Sequence, residues 1–144
     1  MTDGGLDKID FTSEKKLPMN VSDVMRQRSD FLFVQQNGVR QVMTHFILQA
    51  APQLSLAKAS TSLYYRTGVT ASKKVGNAVA RNRAKRRMRA LFRNLKRGHV
   101  LSGTDYVLIA RQSLVQVAWA ELSADFSIAA KRVHNKLIKA AAQE

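Results

Sequence analysis

The sequence predicts an α/β (α+β) two-layer sandwich, with helices packed on a mixed sheet. Three observations carry that prediction. Residues 77–97 and 118–141 repeat apolar side chains every three or four positions. Residues 40–51, 62–72 and 106–110 are rich in β-branched and aromatic residues and read as strands. With a helix expected near residue 30, these segments interleave as helix, strand, strand, helix, strand, helix, instead of falling into separate blocks.

Residues 1–20 carry Gly4-Gly5, scattered charge and no sustained period, and are expected to form a flexible extension. The domain is expected over residues 21–144, with a turn near residues 22–27. Ser29-Asp30 offers oxygen side chains for a helix start, and Gly38 a stop. Phe31, Leu32 and Val34 should face the core, with Gln35 and Gln36 at its edge. In Arg40–Ala51, Val42, Thr44, Phe46 and Leu48 fall on one side of a strand. Met43, His45, Ile47 and Gln49 fall on the other side. This run is long enough to split in two, and Pro52 closes it. A loop over 52–61 leads to a second extended segment, with room for a bulge near Gly68.

Gly76-Asn77 then starts a helix expected over Asn77–Arg97, closed by Gly98. Gly103-Thr104-Asp105 reads as a turn. The apolar run Tyr106–Ala110 reads as a strand covered on both faces. A loop over 112–115 precedes the last helix. Its stripe of Trp119, Leu122, Phe126, Ala129, Val133 and Leu137 should face the core.

A chain of 144 residues with 45% hydrophobic content fits one domain with a real core. The net charge of +14 points to nucleic acid or an acidic surface as partner. No apolar run approaches a membrane span, and the N-terminus lacks the pattern of a secretory signal. With no Cys, disulfide and thiolate chemistry are excluded, and a cytoplasmic location is expected.

The charge is concentrated. Ala71–Arg97 holds eleven of the twenty-four Lys and Arg residues and no Asp or Glu. On a helical wheel, Ala84, Met88, Leu91, Phe92 and Leu95 share one arc. Asn82, Lys85, Arg86, Arg89 and Arg93 share another, which Arg83 and Arg87 extend. One face therefore suits a sheet, and the other suits a polyanion, whose condensed counterions each phosphate contact would release.

Lys73-Lys74-x-Gly76-Asn77-Ala78-Val79-x-Arg81-Asn82-Arg83-x-Lys85-Arg86-x-x-Arg89 resembles the signature of the bacterial ribonuclease P protein subunit, whose named motif is Arg-Asn-Arg. Asp30-Phe31-x-x-Val34 with Gly38, Phe46-Ile47-Leu48, Arg66-x-Gly68, Asp105-Tyr106-Val107 and Ala110-Arg111 extend the resemblance over about residues 25–140. It implies a fold similar to the second domain of ribosomal protein S5, with a left-handed βαβ crossover, against the usual hand. It also implies a role in endonucleolytic removal of the 5′ leader from precursor tRNA. In this family the RNA subunit with Mg2+ is the catalyst. The protein alone is expected to bind no cofactor. Its implied partners are the catalytic RNA and the leader, with no membrane and no DNA.

The resemblance assigns Lys73, Lys74, Asn77, Arg81, Asn82, Arg83 and Arg86 to the catalytic RNA. It assigns Phe31, Gln35, Ile47, Gln49, Tyr65, Arg66, Lys85 and Arg89 to the leader and active-site side, around a cleft between the first helix and the sheet. Gln35 and Gln49 depart from the family pattern, which often has aromatic residues there; a Gln hydrogen-bonds but stacks poorly on a base.

No catalytic centre or metal site is evident from the residues themselves. His45, His99 and His134 lack motif partners and read as surface or packing residues, and no spacing of acids suggests a Mg2+ cage. Asp105 reads as a turn contact. Two other function classes compete: a structural RNA-binding protein such as a ribosomal protein, and a DNA-binding helix-turn-helix protein. The second is disfavoured by the strand-like segments flanking the basic helix.

Overall fold

A computed structural model describes residues 23–25, 27–53 and 65–142. The expected N-terminal extension, most of the 52–61 loop and the first residues of the second extended segment lie outside the described residues. The elements are β1 (Asp23–Val24), α1 (Arg28–Asn37), β2 (Val39–Val42), β3 (Phe46–Pro52), β4 (Arg66–Thr70), α2 (Ala78–Arg93), β5 (Thr104–Ala110) and α3 (Trp119–Ala142). The sheet order is β1-β4-β5-β3-β2. β4 pairs in parallel with β1 and β5, and β3 runs antiparallel to β5 and β2, so the sheet is mixed.

Alternation along the strands divides the core. Phe46, Leu48 and Ala50 of β3 and Tyr106, Leu108 and Ala110 of β5 point to the face covered by α2 and α3. They meet Ala84, Met88, Leu91 and Phe92 of α2, and Leu122, Phe126, Ala129 and Val133 of α3. Phe126 stands against Phe46 and Phe92, with centroids 6.2 and 5.8 Å apart. Such pairs are worth about 0.5–1.5 kcal/mol each beyond their burial. Met25, Val34, Ala51 and Val107 form a smaller cluster on the opposite face, beneath α1. α1 covers only part of that face.

Two glycines permit this packing. A Cβ on Gly38 would lie 2.5 Å from the Ala50 carbonyl oxygen, so only Gly lets α1 turn directly into β2. A Cβ on Gly68 would lie 2.7 Å from the Phe31 ring, so the α1 aromatic rests on bare backbone of β4.

The long run 40–51 does split, into the β2–β3 hairpin. Several expectations change. β1 has only two residues and pairs through β4, which local periodicity could not reveal. α1 begins at Arg28, with Gln27 at the cap and no side-chain capping bond. α2 ends at Arg93, not Arg97: the Asn94 N–H turns back to the Leu91 and Phe92 carbonyls, and Leu95 then enters the core. The turn narrows to Gly103 (φ 74°), and Thr104 and Asp105 are already in β5. Trp119 is 40% exposed at the start of α3, although the rest of its stripe is buried. The helix has barely begun there, and Arg87 covers one side of the indole, 5.9 Å from its centroid.

Candidate nucleic-acid interface

The basic helix is launched by a built entry. Ser72 Oγ accepts from the Lys74 N–H and starts a short 3-10 turn over Lys73–Val75. Gly76 follows at φ 147°, where a side chain would be strained and would press on Ala80. Asn77 Oδ1 then accepts from the Ala80 N–H at 2.9 Å. Asn77 is therefore the helix cap, and its amide nitrogen points away from that bond as a donor for a ligand. Lys73, Lys74 and Asn82 are exposed and Arg81 is half-buried around the positive end of the α2 dipole, and Arg86 is exposed farther along the helix.

The arginines of α2 do not share one role. Arg87 donates to the carbonyls of Leu114 (2.8 Å), Val115 (2.9 Å) and Val117 (2.5 Å). Arg83 Nε adds a bond to Val115 O at 3.1 Å. Together they clamp α2 onto the 3-10 turn at 112–115 and the residue pair that follows it. Burial, with the neighbouring Arg83, pushes the Arg87 guanidinium below its usual range. Arg87 therefore belongs to the fold, although the wheel placed it on the cationic surface. Arg83 divides its donors between the turn and solvent.

A cleft of about 620 Å3 opens between α1 and the sheet. Phe31, Leu32, Val107 and Ile109 supply apolar walls, Gln35 and Gln49 are set among them, and Arg28, Arg40 and Lys85 bring three cations to the lining. Apolar walls with cations suit a strand of nucleic acid, which offers flat bases and a charged backbone. Of the residues assigned to this side, Phe31, Gln35, Gln49 and Lys85 line the cleft. Phe31 thus has two jobs, packing on Gly68 and walling the cleft. Ile47 shares the face of Gln49 but does not line the cavity, and Arg89 is exposed one turn beyond Lys85 on α2.

Tyr65 and Arg66 do not line it. Tyr65 is 5% exposed in the opposite core, edge-on to Tyr106 at 6.0 Å. Arg66 faces α1 but is consumed there. It donates twice to Asp105, at 2.7 and 2.6 Å, and to Asp30 Oδ2 at 3.3 Å. Its hydrogen bonds to Asp105 raise the guanidinium further, against desolvation, and keep it charged. Burial pushes the Asp105 carboxyl up, and Arg66 pulls it back. Asp105 is therefore the buried half of an ion pair that ties β4 and β5 to α1, not a turn contact.

Arg28 and Arg40 escaped the sequence reading. The signal for Arg28 was present, since positions 28, 31 or 32, and 35 share one helical face. Arg40 needed the hairpin register, which sets it directly across from Gln49. His45, expected as a surface or packing residue, has partners that no motif showed. It is buried in the β2–β3 turn, with Nδ1 2.7 Å from Ser113 Oγ and Nε2 2.7 Å from Glu121 Oε2.

Known proteins resemble this chain in sequence and in fold. The family model for ribonuclease P matches residues 19–134. The ribonuclease P protein component of Paramagnetospirillum magneticum is 40% identical over 111 residues, covering 77% of this chain and 82% of that protein. The Bacillus cereus component is 34% identical over 115 residues, covering 80% and 94%. Among solved structures, the RNase P protein from Thermotoga maritima superposes with a TM-score of 0.62 at 26% identity, over 77% of this chain and 97% of that one. The Staphylococcus aureus RNase P protein superposes with a TM-score of 0.57 at 25% identity, over 81% and 95%. The signature on α2, the fold that presents it and relatives matched over most of their length agree: the chain belongs to the ribonuclease P protein family.

Proposed function

We propose that this protein binds the catalytic RNA of ribonuclease P through the start of α2 and receives the 5′ leader of precursor tRNA in the α1–sheet cleft. The observation that carries this reading is the position of Lys85. It lines the cleft from α2, the helix that also carries half-buried Arg81 and exposed Asn82 and Arg86 and is entered through exposed Lys73 and Lys74. One rigid element would therefore hold the RNA and guide the substrate strand. Rigid mounting fixes the leader relative to the RNA active site and lowers the entropic cost of correct docking.

Chemistry on this reading belongs to the RNA and its Mg2+. The protein neutralises phosphates on both strands, so substrate and metal need less Mg2+ in bulk to reach the same occupancy. The apolar cleft walls would contact leader bases, with Phe31 as the aromatic surface. Gln35 and Gln49 would offer hydrogen bonds where stacking partners are absent. The protein would act in the cytoplasm, where precursor tRNA is processed.

Recovery of bound RNA from cells tests the partner. Ribonuclease P RNA should co-purify with the protein and be lost from Arg81→Ala and Arg86→Ala variants. Recovery of ribosomal RNA without the catalytic RNA would instead make this a structural RNA-binding protein.

A further inference from the structure

The His45 cluster lies apart from the α1–sheet cleft. His45 sits in the turn between β2 and β3, and Glu121 and Asp125 occupy successive turns of α3. Their ligating atoms all lie within 4.8 Å of one another. We propose that His45, Glu121 and Asp125 form a binding site for a divalent transition-metal ion of the Zn2+ kind.

Three features carry this assignment. The first is the orientation of the imidazole. Ser113 Oγ lies 2.7 Å from Nδ1 and is also 3.4 Å from the Thr44 carbonyl. A hydroxyl that donates to that carbonyl accepts from Nδ1–H, and Nε2 then faces Glu121 with either a proton or a cation between them. A hydrogen-bonded partner on the remote nitrogen is how proteins fix a metal-binding His. Two lone pairs 2.7 Å apart repel, so a proton or a cation must lie between them.

The second feature is Asp125. Among the described residues it has no hydrogen bond and no ion pair, in a chain of net charge +14. A half-buried carboxylate left unpaired by so many cations, and set beside another carboxylate, favours a cation bound between them. The third is the donor set. One imidazole and two carboxylates match a borderline ion, whereas an all-oxygen cage would suit Mg2+ or Ca2+. Tetrahedral bonds of about 2.0–2.1 Å set ligand atoms about 3.4 Å apart. His45 Nε2 and Glu121 Oε2, now 2.7 Å apart, would open to that spacing, and Glu121 has room to move because its side chain is 59% exposed. Water would complete the coordination.

His99 and His134, with ring centroids 6.1 Å apart, provide a contrast. Lys96 and Lys131 stand near His99 and oppose a cation there. The His45 site would join the β2–β3 turn to the first turns of α3. Through Ser113 it would also hold the 112–115 turn on which Arg83 and Arg87 close.

The test titrates the full-length protein, stripped of metal by chelator, with Zn2+ by calorimetry. The nitrogen resonances of the imidazoles are followed in parallel. One saturable equivalent is expected, with a shift of His45 Nε2 and a raised melting temperature. Asp125→Asn, half-buried, and Glu121→Gln, exposed, should each weaken binding more than tenfold and abolish the rise in melting temperature. Their metal-free melting temperatures show that they fold. No saturable binding would overturn the proposal. So would unchanged affinity in both variants, a shift confined to His99 and His134, or equal competition by Mg2+.

Discussion

Arg86→Ala and Arg87→Ala should give opposite phenotypes, although the residues are adjacent in a run of basic side chains. Arg87 makes three hydrogen bonds, at 2.5–2.9 Å, to carbonyls of residues 114, 115 and 117. Hydrogen bonds from a charged donor contribute about 1.5–3 kcal/mol each when a partner is stranded, and bonds from one side chain do not add fully. The cation over Trp119 adds about 0.5–1 kcal/mol. Arg87→Ala should therefore destabilise the fold by about 3 kcal/mol and leave RNA affinity near normal once folded. Arg86 is exposed, with no hydrogen bond or ion pair among the described residues. Its loss should change stability by less than about 0.5 kcal/mol. RNA affinity should fall, and the salt dependence of binding should flatten by about one unit of slope per lost phosphate contact. Urea denaturation reads the first effect and filter binding across a salt series reads the second. If Arg87→Ala weakened RNA binding with stability intact, or Arg86→Ala did the reverse, the division of α2 would be wrong.

Three further substitutions probe the ion pair, the sheet core and the cleft. Arg66→Met leaves Asp105 buried and unpaired, and should cost about 3–5 kcal/mol in urea denaturation; a loss under 1 kcal/mol would refute the structural role of Arg66. Tyr106 has its hydroxyl pKa pushed up by burial, from 10.0 to about 12. The folded state holds that proton more tightly, so its contribution is intact below pH 10 and is lost as pH rises toward 12. Wild type should lose about 2–3 kcal/mol more than Tyr106→Phe across that window, and parallel pH profiles would contradict the burial argument. Gln35→Phe should change leader affinity more than catalytic-RNA affinity, measured with precursor tRNAs of long and short leader; equal effects would remove Gln35 from the cleft.

The strands and helices that cross the core were legible because their periods were. The α2 arc of Ala84, Met88, Leu91 and Phe92 is buried as read from the wheel, Leu95 is buried just past the end of the helix, and the stripe of α3 is buried from Leu122 to Leu137. Less legible were features set by distant partners. A wheel cannot distinguish an arginine facing solvent from one that meets carbonyls 27–30 residues away, so Arg87 looked like its neighbours. The resemblance placed Arg66 on the leader side, and Asp30 and Asp105, both remote in sequence, give no local sign of closing on it. Tyr65 falls on the opposite face because strands alternate, and one position decides between cleft and core. His45, Ser113 and Glu121 meet across 68 and 76 residues, so their contact had no sequence spacing to show it.

Reconstitution tests the central claim most directly. The protein, a bacterial ribonuclease P RNA and precursor tRNAs of graded leader length are combined at limiting Mg2+, and cleavage at the mature 5′ end is followed. The protein alone should cleave nothing, and its addition to the RNA should restore cleavage, with a gain that grows until the leader spans the cleft. Cleavage by the protein without RNA, or a gain independent of leader length, would contradict the account.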